Sequence, residues 1–501
     1  MTYAFTFDAS ACTGCKACQV ACKDKNNLPV GVLWRRVFEV SGGDWAQAGN
    51  AWENSIFAYN LSIACNHCAH PKCAGVCPTD AYVQRADGVV YIDETKCMGC
   101  GYCAWACPYA VPQYNPELRH MTKCNFCFDE IDQGKSPACV AACPMRVLDF
   151  VILTDDERPM TKNTSLTQSR CPTGNAADGY KADDRIDLPS SSVFRPLSAP
   201  AHWALWDTPA SEHPFPLPEF SRTEPHLAIK PHVGMVNGLE KVISNREETQ
   251  TQRARSSQRK TFENLDELPL VAFTLLTQMS AGMAVASLFF QPMLFNLLTI
   301  GLLLGLGGLI SFLHLGTKKN AWRAVLHLRK SWLSREILVI GLFGAAWLAW
   351  FVEHWFLNTD YWLLVTAPLG VGLVYSMTQV YRLRAAPVWD SWRTGAAFFL
   401  SAGTLGLTGV AFGAGMASVA IPLLFLLSAE AGLVVSARNW FEKTANRLRL
   451  GVSGLAMVGG LMSLFVPSQV GAWMMLPIFL LVVMQEIIGR WLFYEARVAA
   501  L

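Results

Sequence analysis

Apolar residues follow two different patterns along this chain. From Leu268 onward they form long uncharged runs, and 268–290 and 293–315 each give 23 residues without Asp, Glu, Lys or Arg. As helices, these can span a hydrocarbon layer of roughly 30 Å. Glu336 to Leu357 and Tyr361 to Tyr381 predict spans three and four, the third being the least apolar because its strictly apolar part is only Ile337 to Val352. Thr394 to Ala437, broken near Gly413 and Gly415, predicts spans five and six. Leu450 to Tyr494, broken at Pro467-Ser-Gln469, predicts seven and eight. Before residue 150 the apolar segments are short and β-like, as in Gly88 to Ile92 and Phe57 to Ile63, with turns at Asp87-Gly88 and Ser41 to Asp44. Between Thr154 and about Asn264 periodicity is weak, Pro, Ser, Thr, Asn and Asp dominate, and Trp203 and Trp206 are isolated anchors. The pattern predicts an α+β domain over 1–150, an extended wrapping tail over 151–235, a polar linker over 236–266, and an all-α membrane part of eight transmembrane helices over 267–501.

Cysteine usage follows the same division. Sixteen of the 17 cysteines precede residue 144, the last is Cys171, and the membrane part has none. The N-terminus lacks the basic region, apolar core and cleavage site of a signal peptide, so disulfides are not expected and the cysteines are thiolate candidates. They form a fourfold repeat. Cys12, Cys15, Cys18 and Cys22 are spaced C-x2-C-x2-C-x3-C, and so are Cys97, Cys100, Cys103 and Cys107. Cys65, Cys68, Cys73 and Cys77, and Cys124, Cys127, Cys139 and Cys143, have the same plan with insertions between the second and third members. Three thiolates on a tight turn suit three irons of one cubane, while the fourth, starting a helix, ligates the neighbouring cluster. Zinc takes two separated pairs and has no use for a third cysteine three residues on. The repeat therefore predicts a duplicated ferredoxin-like scaffold holding four [4Fe-4S] clusters in pairs, with metal supplying much of the folding energy of a small core. Cys171 is left without a role.

Cys12-Thr-Gly-Cys-Lys-Ala-Cys18, Asn66-His67-Cys68 and His120-Met-Thr-Lys-Cys124 resemble the four-cluster iron-sulfur electron-transfer subunit of the dimethyl sulfoxide reductase family. The resemblance implies crosswise ligation. Cys12, Cys15, Cys18 and Cys143 would bind one cluster, and Cys124, Cys127, Cys139 and Cys22 its partner. Cys65, Cys68, Cys73 and Cys107 would form a third, and Cys97, Cys100, Cys103 and Cys77 a fourth. Some relatives replace a third-run cysteine with Trp and hold three irons; all three are present here, so four irons are implied in the cluster that family geometry puts nearest the membrane. Glu224 to Pro231 resembles that subunit's C-terminal tail, where relatives normally stop. This sequence continues, and so resembles the electron-transfer subunit fused to the polysulfide-reductase-type membrane anchor.

Charge adds orientation. The net charge of +2 comes with no basic stripe interleaved with aromatics, so nucleic acid is not an expected partner. Lys and Arg are retained on the cytoplasmic side during insertion. Arg253 to Lys260, Lys318 to Arg335, Arg382 to Arg393 and Arg438 to Arg449 all fall on the side of the cysteine domain, and the opposite loops carry none. The expected location is a multi-pass protein of the cytoplasmic (inner) membrane with its iron-sulfur domain facing the cytoplasm.

Ionisable residues in the bundle are costly and point to function. His314 closes span two and Glu336 opens span three, on the cysteine side. A His and a carboxylate there can hold the two oxygens of a quinol and relay its protons. A snorkelling histidine and a helix-dipole carboxylate explain the same residues without a ligand. Ser311 to Gly316 and Ser334 to Ile337 resemble the quinol-site motifs of the family's anchor, which implies the first reading, and Glu486-Ile-Ile-Gly-Arg490 resembles its last helix. Glu486 and Arg490, at i and i+4, predict an ion pair. Glu430 has no sequence-local partner. Gly301 and Gly305 predict close helix packing, and Trp355, Trp362, Trp389 and Trp392 interfacial belts. Haem is not predicted, because His314 and His354 lie at opposite ends of the bundle and His327 in a loop.

The function these readings support is the electron-transfer and anchor component of a quinone-linked oxidoreductase. It would relay electrons from menaquinol or another quinol to a separate molybdopterin-containing subunit that reduces an S-oxide or N-oxide. The same relay reversed, in a cytoplasm-facing dehydrogenase of, for example, sulfite, is the alternative. A transporter with an iron-sulfur redox sensor is the alternative from another class; it calls for a membrane repeat and broken helices that do not stand out.

Overall fold

The computed structural model describes residues 2–153, 223–232 and 268–500, apart from scattered positions within those ranges. Cys171, Trp203, Trp206 and most of the expected tail and linker lie outside the described residues. The protein packs as two compact units that are not contiguous in sequence. The first contains residues 1–74, 82–94 and 107–249. The second contains 75–81, 95–106 and 250–501. Cys77 and the first three cysteines of the third run thus group with the apolar helices.

In the first unit, strand β1 (Thr2–Asp8) lies at the centre of a three-stranded sheet, and its alternating aromatics Phe5 and Phe7 are buried. Next come helix α1 (Ala17–Lys25) and strands β2 (Arg36–Gly42), β3 (Trp45–Ala48), β4 (Ala51–Asn54) and β5 (Phe57–Ile63). Strand β2 pairs antiparallel with β5, the segment expected to be extended, and β3 forms a hairpin with β4. Ser41 and Gly42, expected in a turn, end β2. The short helix α2 (Lys72–Gly75) precedes the hairpin of β6 (Tyr82–Gln84) and β7 (Val90–Ile92), which turns at Asp87-Gly88 as expected. After helix α3 (Tyr102–Ala106), strands β8 (Gln113–Asn115) and β9 (His120–Thr122) pair, and helices α4 (Phe128–Ile131) and α5 (Ala138–Ala141) follow. Strand β10 (Leu148–Leu153) runs antiparallel to β1, and β11 (Leu227–Lys230) runs parallel on its other side. Residues near 230 therefore return to the N-terminal strand. The expected duplicated ferredoxin-like architecture is observed, with Phe5, Leu61 and Phe126 at its core beside Cys18, Cys65, Cys107 and Cys139, one from each run.

The second unit contains eight long helices among the described residues. These are α6 (Leu268–Ala286), α7 (Leu294–His314), α8 (Trp332–Leu357), α9 (Leu363–Tyr381), α10 (Trp392–Ala414), α11 (Met416–Val435), α12 (Thr444–Met462) and α13 (Ser468–Ala500). Six, namely α6 to α10 and α13, contain a segment long and apolar enough to cross a membrane. Helix α11 offers only a shorter apolar segment, Val419–Val435, and α12 carries Arg447 and Arg449 in its first turns, which lowers its hydropathy, so membrane crossing is clear for about six helices rather than all eight expected. Helix α8 begins a turn before the expected Glu336, at Trp332.

Two packing expectations are corrected in part. The close packing expected of Gly301 and Gly305 holds at Gly301, which lies under the indole of Trp347 on α8, but not at Gly305, which nothing among the described residues approaches. The close backbone contact is instead between α6 and α10, where a Cβ on Gly282 would fall 1.8 Å from the Ala402 carbonyl oxygen and one on Gly406 2.3 Å from Gly282. Trp355, Trp362 and Trp392 are exposed along the bundle, as a belt requires, but Trp389 is 1% exposed and donates to the Phe493 carbonyl at 2.8 Å.

Candidate iron-sulfur and quinol site

All four cysteine runs share one backbone turn. The residue before the second cysteine has a left-handed conformation in each: Gly14 (φ 69°), His67 (φ 43°), Gly99 (φ 73°) and Phe126 (φ 63°). Such values are unusual for His and Phe. The turn aims backbone N–H groups at sulfur, with His67 N–H donating to Cys65 Sγ at 3.5 Å, Phe126 N–H to Cys124 Sγ at 3.4 Å, and Gly14 N–H to Cys12. At Gly14 a Cβ would also strike the Asn60 side chain. The helices α1, α2, α3 and α5 carry the third cysteine of each run. The helix therefore starts at the third cysteine, not the fourth as expected, and the fourth follows about one turn later.

The thiols gather across runs. Cys12, Cys15, Cys18 and Cys143 line one cavity. Cys22 lies within electrostatic reach of Cys139 and Cys127, Cys124 of Cys22, and Cys73 of Cys107, Cys65 and Cys68. In the second unit, Cys100 is in reach of Cys77 and Cys97. The sixteen described cysteines are all free thiols. Among the described residues no three His, Cys, Asp or Glu side chains converge on a point fit for one metal ion. Tetrahedral zinc with Zn–S near 2.3 Å needs sulfurs about 3.8 Å apart, whereas a cubane separates its four thiolate corners more widely. The donor set fits iron-sulfur clusters.

Electrostatics agree. Burial pushes the Cys22 and Cys100 thiols up to about 12 and Cys107 to about 11. Without metal these groups are neutral at pH 7, and bound iron holds them as thiolates. Two cations are buried among the sulfurs. Arg35, 2% exposed, stacks over Phe5 at 4.5 Å and donates to Ser62 Oγ at 3.2 Å. Burial opposes its charge, but Cys139, Cys124, Cys18 and Cys22 outweigh burial. Lys123 Nζ donates to Cys65 Sγ and the Cys124 carbonyl, at 3.3 and 3.1 Å, and to the Val90 carbonyl. It thus bridges two cysteine runs. His67 is fully buried and accepts from Val90 N–H through Nδ1 at 3.0 Å; burial and then Lys123 hold it neutral.

The third run is seated on the helices of its own unit. Asn320 Nδ2 donates to the carbonyls of Thr95 and Cys97, both at 2.9 Å. Thr317 N–H donates to Met98 at 3.0 Å, Ser331 Oγ to Val76 at 2.8 Å, and Tyr102 OH to Val380 at 3.0 Å. Trp105, on the helix of Cys103, packs against Tyr381 and Trp389 with centroids 5.8 and 5.7 Å away. Glu336 is 3% exposed and lies within electrostatic reach of Tyr102; burial first, then Glu336, raises that phenol. His314 is half-buried at the end of α7. The expected Glu486–Arg490 ion pair is not formed: Arg490 Nη2 donates to Gln278 at 2.6 Å. Glu486 and Glu430 share the Gln485 amide instead. Asn320, Ser331, Lys123 and Gln485 had no recognisable sequence pattern, since each has a partner distant in the sequence (Cys97, Val76, Cys65 and Glu430); only Lys123 stood inside a family-like motif, His120 to Cys124.

Residues 56–153 match the 4Fe-4S dicluster domain, and residues 262–437 match the DMSO reductase anchor subunit (DmsC). The N-terminal part is 52% identical over 148 residues to the B component of the anaerobic dimethyl sulfoxide reductase of Escherichia coli, covering 30% of this protein and 72% of the relative. It is 40% identical over 156 residues to a thiosulfate reductase electron transfer subunit of Salmonella typhi, covering 31% and 78%. It is 39% identical over 166 residues to a formate dehydrogenase iron-sulfur subunit of Wolinella succinogenes, covering 29% and 78%. The protein belongs to the dimethyl sulfoxide reductase family, with the family's iron-sulfur electron-transfer subunit and its membrane anchor fused in one polypeptide.

Proposed function

We propose that this protein oxidises a quinol, such as menaquinol, in the cytoplasmic membrane and relays electrons to a separate molybdopterin-containing subunit that reduces an S-oxide or N-oxide. The sixteen cysteines hold four [4Fe-4S] clusters in the crosswise sets given above, and these supply one-electron transfer when bound. The observation that carries the reading is the seating of Cys97, Cys100, Cys103 and Cys77 in one compact unit with the anchor helices, through Asn320, Ser331 and Tyr102. These cysteines and the anchor helices thereby belong to one packed body, which suits transfer of electrons between a membrane-held donor and the cysteine-held carrier.

His314 and Glu336 form the quinol site, holding the ring oxygens and taking the protons released on oxidation. The buried Glu336, within electrostatic reach of Tyr102 beside Cys103, supports this role. Match to a reductase anchor supports flow from quinol toward the partner, and favours a relay over a transporter. The resemblance to a formate dehydrogenase subunit keeps the reversed direction as a second reading.

Iron analysis of the purified protein should give about sixteen irons per polypeptide, and a value near half of that would break the ligand assignment. His314→Arg should prevent a quinol from reducing the clusters while dithionite still does. Normal quinol reduction in this variant would remove His314 from the site.

A further inference from the structure

Helices α10 to α13 meet around a cavity of about 400 Å³ that is open on one side, within the usual size range of small-molecule sites. Three guanidinium groups line it: Arg393 in the first turn of α10, Arg449 in the second turn of α12, and Arg490 in the last third of α13. Arg393 and Arg449 adjoin the basic connections 382–393 and 438–449, so the cavity lies at the end of the bundle expected to face the cytoplasm. Val388, Ala397, Leu433, Val434 and Phe493 make the rest of its wall largely apolar.

No Asp or Glu forms a salt bridge with any of the three arginines among the described residues. Arg393 Nη2 donates to the Ser436 carbonyl at 3.0 Å. Arg490 Nη2 donates to Gln278 Oε1 at 2.6 Å, and its Cζ lies 3.9 Å from the centre of the Phe398 ring. Arg449 lies against α13 where Gly489 leaves room, and its buried Nε has no hydrogen-bond partner. Glu486 also lines the cavity, but its oxygens already accept from Ser401 Oγ at 2.6 Å and Gln485 Nε2 at 2.7 Å, and the same amide donates to Glu430 at 2.6 Å.

Arginine keeps its charge at any physiological pH. Even with both carboxyls ionised, three cations face two anions, and an unmatched charge inside an apolar bundle is costly. An anion entering from the open side supplies the missing counter-charge. Phosphate suits the site, because its oxygens take paired N–H donors from guanidinium groups. The walls decide its source. A free phosphate gains nothing from Leu433, Val434 and Phe493, whereas a phospholipid can set its phosphodiester on the arginines and its glycerol and chains against those side chains. Basic pockets between helices at the cytoplasmic interface take anionic headgroups in this way.

We propose that this cavity binds one anionic phospholipid, its phosphodiester held by Arg393 and Arg449 while the charge of Arg490 adds to the attraction. The test is native mass spectrometry of the full-length, cluster-loaded protein released from a neutral detergent and titrated with phosphatidylglycerol, phosphatidylcholine or inorganic phosphate. One phosphatidylglycerol should bind about tenfold or more tightly than phosphatidylcholine, and inorganic phosphate should not displace it. Arg449→Gln and Arg393→Gln should each weaken that binding about tenfold, the scale of losing a charge-assisted hydrogen bond. Lys319→Gln, an exposed change in a separate basic connection, should leave it intact. Iron content reports whether each variant folds, and the headgroup comparison on the unaltered protein decides the matter without any variant. Equal binding of phosphatidylcholine overturns the proposal by making the cavity a neutral lipid groove. Displacement by inorganic phosphate overturns it by making the arginines a plain anion site. Binding unchanged in both arginine variants, or weakened as much by Lys319→Gln, also overturns it, because the lipid would then sit on the basic surface at large.

Discussion

Single side chains set the electrostatics around the sulfurs. Lys123 is 3% exposed, and its ammonium touches Cys65 Sγ and the carbonyl of Cys124. A cation in that place favours the more negative, reduced state of whatever the thiols hold. Lys123→Met should therefore lower the midpoint potential of one or two clusters by about 60 mV or more, a tenfold change for a one-electron couple. A redox titration followed by low-temperature paramagnetic spectra measures it, and unchanged potentials would deny the lysine that effect. Sequence made the cysteines legible, because iron ligation has a fixed local spacing. It did not make Lys123 or Arg35 legible, because a surface lysine and a buried one are written with the same letter. His67 and Phe126 carried a weak hint, standing where the other two runs have glycine.

At the level of elements, hydropathy located most helices to within about a turn. Helix α7 was expected from Met293 to Leu315 and runs Leu294–His314. It could not identify which helices touch. Gly282 and Gly406 are far apart in sequence and meet only because α6 and α10 pack face to face, whereas the regular Gly301 and Gly305 spacing marks no close approach of two helix backbones. Gly406→Leu should force the α6 and α10 backbones apart at a cost of about 1–3 kcal/mol, read as a lower unfolding temperature in detergent; the same change at Gly305 should be nearly neutral. The segment from Lys318 to Leu326, a 3-10 helix, looked like a basic loop in the sequence. Its Asn320 is instead the residue that fastens the third run. Asn320→Ala leaves two carbonyls without their donor, a loss of about 1–3 kcal/mol. It should broaden or shift the spectrum of the cluster proposed for Cys97, Cys100 and Cys103 while sparing the others. A uniform loss of all clusters would show that Asn320 acts on the fold instead.

For the whole molecule, basic loops predict that the iron-sulfur part faces the cytoplasm. Protease added to inside-out membrane vesicles should cut the polar segment near Arg253 to Lys260, while right-side-out vesicles should protect it; the reverse result would place the relay on the other face. The two broad parts, their order and their family resemblance were present in the sequence. The packing boundary was not: residues 75–81 and 95–106 belong with the helices although they lie deep inside the cysteine-rich region.

Composition and local spacing determined that this protein would carry cysteine quartets followed by apolar helices, since metal valence and water avoidance act on neighbouring residues. Tertiary structure decided that Cys143 joins the Cys12 run, that Gln485 links Glu430 to Glu486, and that Arg490 turns to Gln278. Those partners are chosen by the burial of polar groups that must find a donor or acceptor wherever the packed backbone brings one within reach.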